Sequence, residues 1–221
     1  MRSVIPVLLL GVALGASIPA EASGQSSHEG GSDPLSIDHY VPVVSKVPSM
    51  EGDIAQLYVR ERVLPGTALR SRNLEARVII FVHGAGTPAE VAFDAPGASW
   101  MAFLAEAGYD AFSMDMTGYG RSTRPPSMND PCNMSEVQQA EFIPTLIPES
   151  CSPSYGFATT TIESDWHDLD AVVDYVRELR GVDRVHLAAW SLGGPRAGGY
   201  AARYPDKVAS IILLSPAYNR N

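Results

Sequence analysis

Apolar residues are arranged along this chain in two alternating ways. In "ARVIIFVHG" five of them run without a break from Val78 to Val82. A short apolar run closed by a glycine turn predicts a strand buried on both faces of a mostly parallel sheet. "YDAFSMDM", "DRVHLAAW" and "VASIILLSP" predict further strands, while "GASWMAFLAEAG" reads as a short helix stopped at Gly108. In "TTTIESDWHDLDAVVDYVRELRG", Ile162, Trp166, Leu169, Val173, Val176 and Leu179 recur at helical spacing, and Gly181 ends the run. "LGGPRAGGYAARYP" predicts another helix. "DIAQLYVRERVLPG" alternates only in part, which predicts a solvent-facing antiparallel strand, the first of the chain. Strand, helix, strand repeated in this order predicts an α/β fold, a mostly parallel open sheet with helices on both faces.

The ends of the chain read differently. Arg2 followed by "VIPVLLLGVALGASIPA" and Ala20-Glu21-Ala22 predicts a signal peptide over residues 1–22, and hence export to a periplasm or out of the cell. Pro6 and Pro19 leave too short an apolar run for the roughly 20 residues of a bilayer span, so no stable membrane insertion is expected once the signal is removed. Residues 23–38 are small, polar and Gly-rich, and are expected to form a flexible leader. Residues 39–221 are then long enough for one domain.

Charge and cysteines narrow the partners. The formal charge is −9 and the sixteen basic residues are dispersed, which disfavours nucleic acid and anionic membrane surfaces and favours a small molecule. Cys132 and Cys151 are the only cysteines, and both lie in a Pro-rich insertion over residues 123–157. Export predicts a bridge between them, for ~3 kcal/mol on the chain-entropy model. With no histidine close to either in sequence, metal binding is disfavoured. The insertion is too long for an ordinary connection, and two readings stand: a rim or lid over a site, or a stapled surface excursion.

The candidate chemistry centres on "AAWSLGG", where a predicted strand meets a predicted helix. A tight turn there lifts Ser191 above the sheet edge, with Ala189 and Gly193 as the small flanking residues, A-x-S-x-G in place of G-x-S-x-G. A serine at a helix start is also a common N-cap. Two other strands close with "FVHGAG" and "DMTGYGRS", and Asp115 in the second reads as a hydrogen-bonding cap for its glycine turn. Trp190 and Tyr119 either line a pocket beside the serine or simply pack.

Taken in order, "FVHGAG", "DMTGYGRS", "AAWSLGG" and "SIILLSP" make the chain, from about residue 50 to its end, resemble the α/β-hydrolase superfamily in its serine-nucleophile branch of esterases, lipases and peptidases. The resemblance implies Ser191 as nucleophile and an oxyanion hole formed by the backbone N–H groups of Leu192 and Ala85, with Gly84 or Gly86 as alternatives to Ala85. It implies hydrolysis of an ester or related acyl bond through an acyl-enzyme, on a small-molecule acyl substrate and with no cofactor or metal. It also places the acid and the base histidine after the nucleophile. The sequence stops at Asn221, thirty residues past Ser191. The expectation is therefore a C-terminally incomplete domain, the N-terminal part of a longer hydrolase, that turns over poorly by itself.

No histidine in the sequence is a good substitute. His83 is expected to be structural, His186 to point into packing, and His167 to lie exposed on an acidic, solvated helix flank; His28 and His39 precede the first expected strand. Competing functions are a non-catalytic binding domain on the same scaffold, a peptidase, and a carbon–carbon bond hydrolase. The final strand is expected to be left as an apolar sheet edge, with poor solubility as the consequence.

Overall fold

A computed structural model describes residues 33–70 and 74–218. The expected signal peptide and leader residues 23–32 lie outside the described residues. Among the described residues, six strands form one sheet in the order β1-β2-β4-β3-β5-β6. They are β1 (Leu35–Val44), β2 (Ile54–Val63), β3 (Val78–Val82), β4 (Asp110–Met114), β5 (Val185–Trp190) and β6 (Val208–Leu214). Strand β2 pairs antiparallel with both β1 and β4, whereas β4, β3, β5 and β6 are mutually parallel. The helices are α1 (Pro65–Arg70), α2 (Ala89–Phe93), α3 (Trp100–Glu106), α4 (Glu136–Ala140), α5 (Ile162–Arg180) and α6 (Gly193–Arg203). None of the described helices is long and apolar enough to cross a membrane.

The two faces of β3 show why its apolar run is unbroken. Ile80 and Val82 join Leu187 and Ala189 of β5 against Leu169, Val173 and Val176 of α5 and Ala197 of α6. Ile79 and Phe81 face the other way, with Ala188, onto Ala89 and Phe93 of α2 and Met101 of α3. Alternate residues of a strand point to opposite faces, so a layer of helices on each side requires apolar residues at every position.

Several expectations change. A strand, β1, occupies Leu35–Val44, so the flexible leader expected over 23–38 gives way to regular structure from Leu35. Because β1 covers one edge of β2, the latter is interior to the sheet: Ala55, Leu57, Tyr58, Val59, Glu61 and Val63 are all buried. The expected solvent-facing strand is therefore antiparallel but not solvent-facing. In α5, Thr161 caps the N-terminus with Ser164 in a reciprocal box, and Gly181 closes the helix in the left-handed conformation. Its buried stripe includes Val172 and excludes Leu179, which is exposed.

The flank of α5 read as acidic and solvated is instead partly internal, with Asp165 and Asp168 buried. At the other end of the helix, Arg180 bridges two buried carboxylates, Glu61 of β2 and Asp110 at the start of β4. Glu61 also pairs with His39 Nε2 at 2.8 Å, and Tyr175 Oη lies 2.9 Å from His39 Nδ1. Burial and the neighbouring Glu61 charge push the Asp110 carboxyl up, against the pull of Arg180.

The 123–157 insertion is a chain of short turns around α4, closed by the Cys132–Cys151 disulfide. Its organising side chain is Gln139, which is buried. The Gln139 amide nitrogen donates to the carbonyls of Cys132, Met134 and Cys151, and its oxygen accepts the Cys151 N–H at 3.0 Å. At the far side of the sheet, β6 is an edge strand on which Ile211, Ile212, Leu213 and Leu214 are 37–57% exposed.

Candidate active site

Because β3, β4 and β5 are parallel, the loops that follow them leave the sheet at one edge. Ser191 follows β5 directly and takes φ +54°, in the left-handed region that a non-glycine residue adopts at a cost of about 1–3 kcal/mol. Its backbone is held on both sides. The Ser191 N–H donates to Leu214 O at 3.1 Å, and its carbonyl accepts from Gly194 N–H at 2.9 Å and Ala217 N–H at 2.8 Å.

Two close approaches make the turn specific to small residues. A Cβ on Gly193 would strike the Val82 carbonyl, so the first turn of α6 lies against the end of β3 only with glycine there. A Cβ on Gly84 would stand 2.9 Å from Ser191 Cβ and 3.4 Å from its Oγ. The His83–Gly86 loop therefore passes directly against the serine side chain. Ser191 is half-buried, and its hydroxyl has no hydrogen-bond partner among the described residues.

His83 is fully buried and engaged at both ring nitrogens. Nδ1–H donates to Gly84 O at 2.7 Å, and Nε2 accepts the Met116 N–H at 3.1 Å, which fixes the neutral tautomer. Desolvation, reinforced by the Arg196 charge, pulls its pKa down to about 4. A ring with no free nitrogen is an anchor for the loop and not a base. Asp115 accepts Ala89 N–H at 2.7 Å and Arg121 N–H at 2.9 Å, the capping arrangement expected for its turn. Asp168 of α5 accepts the Thr117 N–H at 2.9 Å, and burial raises its pKa to about 6. Tyr119 packs its ring 4.6 Å from that of His83, and Trp190 packs on the α2–α3 side of the sheet.

The structure thus brings Ser191, Gly84 and the 83–86 loop together. Gly84, Ala85 and Leu192 donate no backbone hydrogen bond among the described residues, so their N–H groups are unclaimed. His186 is half-buried, with Nε2 buried and Nδ1 2.7 Å from Ser210 Oγ. Two histidines sit differently from the expectation: His167 is half-buried and not exposed, with Nε2 3.0 Å from Val44 O, and His39 falls inside the first strand. His39 lies within β1 in the Glu61–Tyr175 network.

The residues that sequence reasoning passed over are Arg196 and Asp165. Arg196, on α6, is 1% exposed, and its Nε donates to Asp165 Oδ2 at 2.7 Å. The available signal was an arginine inside "GGPRAGG", a helix start otherwise made of small residues facing an acidic helix.

Similarity to known proteins follows the same outline. Residues 77–221 match the family described as alpha/beta hydrolase fold. The (lyso)-N-acylphosphatidylethanolamine lipase of Homo sapiens is 32% identical over 104 residues, 47% of this chain and 21% of that one. The poly(3-hydroxyalkanoate) polymerase subunit PhaC of Allochromatium vinosum is 41% identical over 46 residues, covering 21% of this chain and 13% of its own. Epoxide hydrolase I of potato (Solanum tuberosum) superposes with a TM-score of 0.50 at 20% identity, over 83% of this chain and 41% of the other, a likeness of fold. The chain spans about a fifth of the length of the lipases it matches. On the family match to residues 77–221, well over half of its length, and on a sheet and strand–serine–helix turn that agree with it, this chain belongs to the α/β-hydrolase fold family.

Proposed function

We propose that the protein is an exported serine hydrolase that cleaves an ester or related acyl bond of a small-molecule substrate through an acyl-enzyme. One observation carries the reading: Ser191 is held at φ +54° against Gly84, with a free hydroxyl beside unclaimed backbone N–H groups. Backbone strain at a polar residue persists only where its surroundings impose it, and it concentrates at functional sites. Relatives named as lipases support an acyl bond as the target.

In this mechanism Ser191 Oγ attacks the acyl carbonyl and its proton passes to a general base. The N–H groups of Leu192 and Ala85 hold the oxyanion, and the C–O bond to the leaving alcohol breaks as that alcohol takes the proton back. Water then releases the acid by the same route. None of the described histidines supplies the base: both His83 nitrogens are taken, and His186 is five residues back along β5, about 16 Å at strand rise. The proton acceptor in this reading comes from outside the described residues.

A fluorophosphonate probe tests the nucleophile. Preorganised oxyanion donors alone retain about 10³–10⁴-fold of catalysis when a triad member is removed. The folded protein should therefore be modified at Ser191 faster than at its other serines, and Ser191→Ala should abolish that adduct in peptide mass spectra. Labelling spread over several serines, or unchanged in Ser191→Ala, rejects the reading and favours a binding domain.

A further inference from the structure

Arg196 is the bulkiest fully buried side chain among the described residues. Taking a guanidinium out of water costs several kcal/mol unless it is paired and hydrogen-bonded, so the groups that receive it have to match it closely. Asp165 supplies the counter-charge, and the Tyr119 ring lies 5.4 Å from the guanidinium carbon. The remaining donor is directed at the loop beside Ser191. Arg196 Nη1 donates to His83 O at 3.0 Å and to Gly84 O at 3.3 Å, and His83 Nδ1–H reinforces the second carbonyl.

Those two bonds determine where the next amides point. In a trans peptide the carbonyl and the following N–H lie on opposite sides. Holding the carbonyls of residues 83 and 84 toward α6 turns the N–H groups of Gly84 and Ala85 the other way, as a pair of successive amides of the kind that cradles an anion. Gly84 itself stands against Ser191. A cation on the carbonyl side also polarises both peptides, which makes their N–H groups better donors.

We propose that Arg196, anchored by Asp165, is a positioning residue that sets the 83–86 loop as the oxyanion cradle of Ser191. The proposal rests on the serine-hydrolase reading above and adds to it the element that aims the second donor. If Arg196 merely filled core volume, an apolar residue of similar length would serve as well.

The test compares Arg196→Met, Arg196→Lys and Asp165→Asn with the parent in the full chain, by fluorophosphonate labelling rate at Ser191, amide ¹H–¹⁵N spectra and thermal melting. Arg196→Met is expected to slow labelling by roughly tenfold or more, in line with the loss of an aimed oxyanion donor. It should also displace the Gly84 and Ala85 amide resonances. Arg196→Lys, whose ammonium reaches a carbonyl without the planar fork, should recover part of both. A cooperatively melting Arg196→Met protein that labels at the parent rate overturns the proposal. If Arg196→Met fails to fold, Asp165→Asn decides: labelling slowed about two- to fivefold supports the clamp, and parent-like labelling defeats it. If the parent itself shows no preferred labelling at Ser191, the hydrolase reading fails separately. The amide spectra still judge the clamp, and Gly84 and Ala85 resonances unmoved in every folded variant would overturn it.

Discussion

Asp168 shows how closely structure and protonation are bound together at the residue scale. Its carboxyl accepts the Thr117 N–H, yet burial lifts its pKa from the ordinary 3.8 to about 6. A folded-state pKa above the unfolded value means that the folded state binds the proton more tightly. The associated stability is fully present below about pH 4 and is lost as pH rises through about 6. Asp168→Asn keeps a carbonyl to accept the Thr117 amide and has no charge to bury. It should be more stable than the parent by on the order of 2–3 kcal/mol at pH 8, with little or no gain at pH 4. Denaturant midpoints at the two pH values check this, and parallel curves for the two proteins would refute it. Ser191 and its glycine neighbours were legible in the sequence because small residues around a serine at a strand–helix junction have one steric explanation. Arg196, Asp165 and Asp168 were not, because burial of a charged residue depends on partners brought in from distant segments. A charged residue read by itself is assigned to solvent.

Elements differ in the same way. Strands β3 and β6 announce themselves by uninterrupted apolar runs and helix α5 by 3.6-residue spacing, while β4, β5, α3 and α6 are read from shorter apolar stretches between glycine turns. Strand β1 does not: "LSIDHYVPVV" mixes serine, aspartate, histidine and proline, and its outer positions are exposed. An edge strand with a single inward row has a weak signal, and Pro42 argues against a strand unless its N–H side is free, as at an edge. The disulfide loop was legible in its bridge and not in its core. That core is one amide side chain, so Gln139→Ala should leave three carbonyls and the Cys151 N–H without their partner. The expected loss is about 1–3 kcal/mol, with faster hydrogen exchange confined to residues 130–155. Unchanged exchange in that stretch would show that the bridge alone organises it.

At the scale of the whole molecule, the sheet of the described residues ends in two edge strands, the mixed-polarity β1 and the apolar β6. The exposed apolar row on β6 offers unpaired backbone groups and no charged residue within the strand, which is the combination that favours edge-to-edge association. Ile212→Lys, at a position 57% exposed, should lower self-association in sedimentation velocity without lowering the melting temperature by more than a few degrees. A parent protein that already sediments as a single monomer would contradict the premise. The same margin has a second consequence. The amide of Ser191 leans on Leu214, and its carbonyl is gripped by Ala217, so the strained turn borrows its shape from the outermost strand and the few residues after it. Whatever peels that margin away, a protease nick or an intruding strand, would let the serine turn relax while the other described strands remain standing.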